Sequence, residues 1–219
     1  MGSIGILRET PTTTSLLWQA IGAAERFGSV LLLTAVSPVI GASAAAVSLL
    51  SHRSPLIAHR RVGWRGSTLW MLKLRTMWDR DLPQAKSPRW IEYIHDDAGP
   101  DAKQDGDPRV THWFARFCRR HSLDELPQLW HVVCGEMSMV GPRPLTEAEF
   151  DRHYGTVAEE ILQLKPGLVG LWQVSGRNRL TYAERRRLDL ELVRNYSLRT
   201  YLQVLLRSIP EIVRGANSW

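Results

Sequence analysis

The stretch FGSVLLLTAVSPVIGASAAAVSLLS, residues 27–51, decides how the rest of the chain must be arranged, because it carries no ionisable side chain. It is the one run in the sequence of membrane length: at ~1.5 Å per residue a straight helix of this size crosses a hydrocarbon core ~30 Å thick. A cleaved leader is disfavoured, since the run starts late and lacks a basic leader. Two readings remain. One is a plain spanning helix. The other turns on Ser37-Pro38 at its centre, where proline removes a backbone donor and breaks the helix. Two half-helices would then dip into one leaflet and return, provided Ser37 or neighbouring protein satisfies the freed carbonyls.

Upstream, Leu16, Leu17, Ala20, Ile21 and Ala24 continue the helical spacing, whereas residues 1–14 mix Gly, Pro, Thr and scattered charge and read as a tail. Residues 15–53 therefore form the membrane-associated unit and residues 54–219 the remainder. Downstream Arg53, Arg60, Arg61 and Arg65 place that remainder in the cytoplasm by the positive-inside rule. On the other flank Arg8 and Arg26 are matched by Glu9 and Glu25, so charge permits either topology.

Beyond the run, Pro55–Val62 and Thr68–Thr76 alternate as strands around Gly63-Trp64-Arg65-Gly66, a hairpin whose second strand presents Lys73 and Arg75 on one edge. Residues 78–107 are rich in Pro, Gly and Asp and read as a long loop with one short helix. Helix is expected from Thr111 to about Gly135 and again between Thr146 and Leu164. Leu171–Val174 reads as extended, and Thr181–Asn195 as helical. The last helix carries an apolar stripe (Leu198, Tyr201, Leu202, Leu205, Ile209 and Ile212) between basic residues, which suits core packing and a membrane interface equally. The fold class is α+β, mainly helical: a small cytosolic domain with a short β-hairpin, attached to a membrane helix and amphipathic interfacial helices.

With 44% hydrophobic and 23% charged residues the 219-residue chain is not a disordered protein. Its net charge of +6 is supplied mainly by Arg, the side chain suited to bidentate phosphate contact. Cys118 and Cys134 make no metal-ligand spacing and no disulfide framework. No Walker-type loop is present, and His121 and His131 read as structural.

Ser122-Leu123-Asp124-Glu125-Leu126-Pro127 is the most informative polar stretch. Ser-x-x-Glu is a capping box, and a structural cap is the stronger local reading. Pro127 qualifies it, because proline suits the first helical position and leaves Asp124 and Glu125 at a helix mouth. Two adjacent carboxylates there can divide labour, one holding Mg²⁺ and the other attacking phosphorus. Arg116, Arg119 and Arg120 lie just upstream; residues 116 and 120 are one helical turn apart, so with Arg119 they can share a face, and at least one of them reads as a solvated charge. Gly141-Pro142-Arg143-Pro144 fixes one Arg in a rigid turn. Arg177-Asn178 forms either an anion-contacting turn or an ordinary polar loop.

Taken in order, these stretches resemble the bacterial sugar transferases, the small monotopic phosphoglycosyl transferases, from about Phe27 to Trp219. The matching segments are Ser37-Pro38, Leu72-Lys73-Leu74-Arg75-Thr76-Met77, Asp107-Pro108-Arg109-Val110-Thr111, Ser122–Leu129, Gly135–Pro144, Lys165–Asn178 and Leu188-Asp189-Leu190. The resemblance implies transfer of a sugar 1-phosphate from a UDP-sugar to polyprenyl phosphate on the cytoplasmic face of the bacterial inner membrane, initiating exopolysaccharide or other glycoconjugate synthesis. It implies Asp124 as nucleophile through a sugar-phosphoryl aspartate, UMP as leaving group, and Mg²⁺ on Glu125 with Asp124. Lys73, Arg75, Arg119, Arg143, Arg177 and Asn178 would contact phosphate or nucleotide. It also favours the re-entrant helix broken at Ser37-Pro38, with membrane lipids as partners, a homodimer allowed and no nucleic acid. The ending resembles members that favour galactose or glucose 1-phosphate. One departure stands out: the family's Lys-Arg-x-Phe-Asp before the membrane run reads Ala24-Glu25-Arg26-Phe27-Gly28 here. The competing class is a membrane-tethered, non-catalytic protein that binds anionic surfaces or nucleic acid. It differs from the transferase in gaining nothing from Asp124.

Overall fold

The computed structural model describes residues 15–77, 90–95, 112–176 and 179–214. The tail at residues 1–14, the Asp107–Thr111 segment and the Arg177-Asn178 turn lie outside them. In chain order the elements are helix α1 (Leu16–Ser51), strands β1 (Leu56–Val62), β2 (Thr68–Leu74) and β3 (Ile91–Ile94), and helix α2 (Trp113–Arg120). A 3-10 segment, Leu123–Gln128, leads into α3 (Leu129–Cys134), which is followed by β4 (Ser138–Val140), α4 (Glu147–Glu149) and α5 (Ala158–Ile161). β5 (Gly167–Val169), α6 (Tyr182–Arg194) and α7 (Leu198–Arg214) complete the described residues. The mainly helical α+β class is as expected.

α1 corrects one expectation. Its 36 residues form one helix, and helical structure runs through Ser37-Pro38 without dividing into two half-helices. The local chemistry explains why the proline is tolerated. Pro38 cannot donate to the carbonyl of Thr34, and the Ser37 hydroxyl donates to that oxygen instead, at 2.8 Å. The helix is inverted in polarity. Its buried positions are Ser29, Ser43, Ala44, Val47 and Ser51, while Phe27, Val30, Leu31, Leu32, Val39, Leu49 and Leu50 face outward.

Both ends of α1 are docked. Near its start Trp18 stacks on Tyr196 with ring centroids 4.7 Å apart, and Trp18 and Ile21 join the main core around Phe150, Tyr154, Leu192 and Val204. Glu25 accepts hydrogen bonds from the Ser138 hydroxyl at 2.7 Å, the Met139 N–H at 2.8 Å and the Tyr201 hydroxyl at 2.8 Å. A carboxylate thus fastens the helix to β4 and α7, one turn before Gly28, where the family pattern has its Asp. Near the other end Val47 packs with Ala115, Phe114 and Met77.

The hairpin forms as expected, with β1 and β2 antiparallel and Ile57 opposite Lys73. The sheet has a third strand: β3 pairs parallel to β1, giving the order β2-β1-β3. The loop read as holding a short helix therefore holds a strand, and Ile-Glu-Tyr-Ile suits strand better than helix. β3 also claims Arg75. That side chain is buried, donates to the Ser54 carbonyl at 2.8 Å and pairs with Glu92.

The helical region expected between Thr111 and Gly135 is three segments over its described residues. Ser122 sits in the left-handed region at φ 54° and its side chain caps nothing, so the capping-box reading fails. Capping boxes do form at Thr146 with Glu149 and at Thr181 with Glu184, each worth ~1 kcal/mol. β4 and β5 pair in parallel, and their crossing is tight enough that a Cβ on Gly167 would lie 2.0 Å from the Gly141 nitrogen. Leu171–Val174, read as extended, is instead a 3-10 turn over Trp172–Val174 with β5 just before it. The Gln173 side chain accepts the Gly170 N–H and curls the chain there. α7 packs one side of its stripe on the core, with Tyr201, Val204 and Ser208 buried, while Leu198, Leu202, Leu206 and Ile209 are exposed.

Candidate active site

The 3-10 segment Leu123–Gln128 packs against β2 and carries Asp124 and Glu125, both partly buried. Its placement is fixed from below by His131, the third residue of α3. His131 is 4% exposed. Its Nε2 accepts the Leu72 N–H at 3.0 Å, which assigns the ring proton to Nδ1, 2.6 Å from Glu136 Oε2. The role read for His131, structural rather than ligating, is what the geometry shows. Because Leu72 precedes Lys73, this bond sets the register between the carboxylate pair and the lysine.

Lys73 Nζ lies 3.3 Å from Glu125 Oε1 and Arg143 Nη1 lies 3.7 Å from the same oxygen. Burial lowers the Lys73 pKa, opposed by the charges of Glu125 and Asp124 and reinforced by those of Arg143 and Arg61. The lysine and the two carboxylates are therefore one electrostatic group, with two arginines at its edge. Cys118, fully buried in α2, is pushed up to about 11 by burial and by the Asp124 charge. It is an inert packing residue.

Of the residues singled out in the sequence, Lys73 and Arg143 converge on Asp124 and Glu125. Arg143 gets there because Pro142 and Pro144 flank it. The Gly141 N–H donates to Val169 O at 3.0 Å and the Gly167 N–H to Pro142 O at 2.9 Å, locking the turn to β5. Arg75 does not converge. Its guanidinium pairs with Glu92 and donates to the Ser54 carbonyl, which makes it an anchor for β3 in this structure. Arg119 is half-buried in the last turn of α2, immediately before the carboxylate segment, whereas Arg116 and Arg120 face outward. Arg177 and Asn178 lie outside the described residues.

Arg61 and Arg185 were not singled out for this site. Arg61 is near enough to act on Lys73, yet in sequence it is one of four arginines in a flank read only for topology. Arg185 sits in the run Arg185-Arg186-Arg187, where only packing shows which member turns inward. Its guanidinium lies 4.7 Å from the Trp172 ring centroid, and that of Arg143 lies 5.9 Å from the same ring.

Among the described residues no three His, Cys, Asp or Glu side chains converge as a metal cage. Two adjacent carboxylates instead fit Mg²⁺, which takes one or two protein carboxylates and completes its shell with water and substrate phosphate oxygens. The donor set is hard oxygen and suits no soft metal.

The sequence profile described as bacterial sugar transferase matches residues 20–215. The chain is 39% identical to the exopolysaccharide production protein ExoY of Sinorhizobium fredii, over 87% of this chain and 84% of that protein. It is 41% identical to a UDP-galactose-lipid carrier transferase of Erwinia amylovora, over 74% of this chain but only 34% of that larger protein. A UDP-glucose:undecaprenyl-phosphate glucose-1-phosphate transferase of Caulobacter vibrioides is 35% identical over 86% of this chain and 68% of its own length. With nearly the whole fold inside the matched span, and the carboxylate pair and its cations at the centre of it, the chain belongs to the bacterial sugar transferase family and is a transferase of the phosphoglycosyl type.

Proposed function

We propose that this enzyme moves a hexose 1-phosphate from a UDP-sugar to a polyprenyl phosphate such as undecaprenyl phosphate, through a covalent intermediate on Asp124, and so initiates exopolysaccharide or related glycoconjugate synthesis. The observation that carries the reading is the setting of the carboxylate pair. Glu125 is held by Lys73 and Arg143, and the segment caps no helix through Ser122. A surface that merely bound anions would gain nothing by placing two carboxylates among its cations, which disfavours the non-catalytic alternative.

In the first step a carboxylate oxygen of Asp124 attacks the sugar-bearing phosphorus, a P–O bond forms, and the P–O bond to the nucleotide phosphate breaks to release UMP. In the second, a phosphate oxygen of the lipid attacks the same phosphorus and displaces the Asp124 carboxylate, giving a polyprenyl-diphosphate sugar. Lys73 and Arg143 lie where negative charge on the transferring phosphoryl group needs stabilising. Glu125, helped by Asp124, would hold Mg²⁺, which when bound neutralises phosphate charge. Incubation of the wild-type enzyme with UDP-galactose or UDP-glucose and Mg²⁺, without lipid acceptor, should add one hexose phosphate to the intact mass. No adduct with either sugar nucleotide from folded protein would remove the covalent step.

We propose further that α1, bending at Pro38 while remaining helical, is re-entrant in the inner membrane and the active site faces the cytoplasm. The support is geometric. Residues near both ends of α1 pack on the same folded unit, Trp18, Glu25 and Ser29 at one end and Val47 and Ser51 at the other. The exposed apolar side chains of residues 30–39 lie between these docked ends. A single cysteine placed near residue 5 in a Cys118→Ala, Cys134→Ser background should react with impermeant maleimide only from the cytoplasmic side. Labelling from the periplasm would establish a spanning helix instead.

A further inference from the structure

Beyond the carboxylate pair lies a charged and aromatic group to which the two steps above assign only Arg143. Arg185, on α6, stacks on Trp172 at 4.7 Å and on Tyr182 at 5.1 Å. Arg143 approaches the same indole at 5.9 Å, so two guanidinium groups share one ring. Burial lowers the Arg185 pKa and the nearby Arg143 charge lowers it further, opposed by Tyr182, Tyr154 and Glu149. Its Nε is buried and donates to no acceptor.

Two of the three carboxylates nearby are already engaged: Glu125 is shared by Lys73 and Arg143, and Glu149, whose charge also acts on Arg185, accepts from the Tyr182 hydroxyl and the Thr146 N–H. Asp189 is fully buried and accepts a hydrogen bond from the Tyr154 hydroxyl at 2.8 Å, leaving its other oxygen without a donor. Burial pushes it up to about 7 despite the Tyr154 bond and the charges of Arg143 and Arg185. A carboxyl held that near neutrality offsets two guanidinium groups only in part. Two adjacent cations with an unused donor are an incomplete anion site.

We infer that Arg185 and Arg143 together form a phosphate clamp beside Trp172, with Arg143 linking the clamp to the carboxylate pair through its approach to Glu125. The ligand is a phosphate group one guanidinium removed from the reacting phosphorus. That description fits the nucleotide phosphate of the donor, which must lie next to the attacked phosphorus, and also the lipid phosphate of the acceptor. The inference rests on the reaction proposed above.

The test uses the full-length enzyme in detergent or nanodiscs and the variant Arg185→Gln. In one arm UMP and uridine are titrated by calorimetry. In the other KM for undecaprenyl phosphate is measured at saturating UDP-sugar. A clamp on the donor weakens UMP about ten- to a hundredfold while leaving uridine unchanged, because only UMP carries the phosphate. A clamp on the acceptor raises KM for the lipid phosphate by a similar factor and leaves UMP alone. Either result supports the clamp and names its source. UMP affinity and lipid KM both within twofold of wild type, in a variant with unchanged melting, would overturn it. Should Arg185→Gln misfold, Arg185→Lys keeps the charge and loses the fork, and the same two arms read it with a several-fold effect expected. A wild-type protein that binds UMP yet forms no sugar-phosphate adduct would instead defeat the underlying covalent reading.

Discussion

Asp124→Asn is expected to lower sugar-phosphate transfer by about four orders of magnitude or more and to abolish the sugar-phosphate adduct in intact-mass spectra. The amide has nearly the size and shape of the carboxylate, so the 3-10 segment should keep its place between β2 and α3. What is lost is the nucleophile. The cations around it remain, with Lys73 and Arg143 still flanking Glu125. Binding of UDP-sugar should therefore hold or improve slightly, since one negative charge has left a site that receives a diphosphate. The split is what makes the result diagnostic: kcat collapses while donor affinity survives. A variant that still accumulates the adduct would show that another residue is the nucleophile. A variant that loses donor binding in step with turnover would show that Asp124 serves the metal and not the attack.

Lys73→Met should lower kcat by about two to three orders of magnitude, the effect of removing one preorganised charge from a phosphoryl-transfer site. Methionine keeps much of the side-chain volume, so the strand should persist. Lys73 is 14% exposed and lies 3.3 Å from Glu125, and its loss leaves Arg143 still approaching that carboxylate. The pH dependence gives an independent handle. Burial holds the Lys73 pKa below the ordinary value of 10.5, so its charge is present below the lowered pKa and is lost as pH rises through it. The rate should fall on the alkaline side earlier than an exposed lysine would produce. In Lys73→Arg the guanidinium keeps its proton, and that limb should move to higher pH even if the maximum rate is reduced. An alkaline limb at the same pH in both proteins would assign it to another group.

Several features are legible in residues 27–76 and 122–144 from pattern alone. Periodicity and charge marked α1, since no ionisable residue interrupts it for longer than a hydrocarbon core requires. Alternation marked the β1–β2 hairpin, and two flanking prolines marked Arg143 as a residue whose direction matters. Asp124 and Glu125 were legible as a candidate pair, although local grammar preferred a cap. That preference failed because Ser122 adopts a left-handed backbone and its side chain makes no cap hydrogen bond, a conformation that no residue type at that position announces.

Contacts between distant segments were not legible. Lys73 and Arg75 look equivalent two residues apart on one strand edge, yet Lys73 meets Glu125 and Arg75 is consumed by Glu92. The difference comes from β3, a strand inside a segment whose composition reads as loop. Arg185 looks like its two arginine neighbours until Trp172 and Tyr182 pack over it. The break at Ser37-Pro38 was expected from proline chemistry, and the neighbouring serine supplied the missing donor.

By itself the sequence determined the apolar segment and the α+β class, because each depends on residue types and spacings along a short length of chain, while the chemistry was legible only through the resemblance carried by motifs spread over nearly the whole chain. Tertiary structure alone decided which cations serve the carboxylates, since a charge acts over a few ångströms of space and Lys73 and Glu125 are 52 residues apart. It also decided that both ends of α1 rest on one folded unit. Burial against distant elements determines that, and no local pattern encodes it.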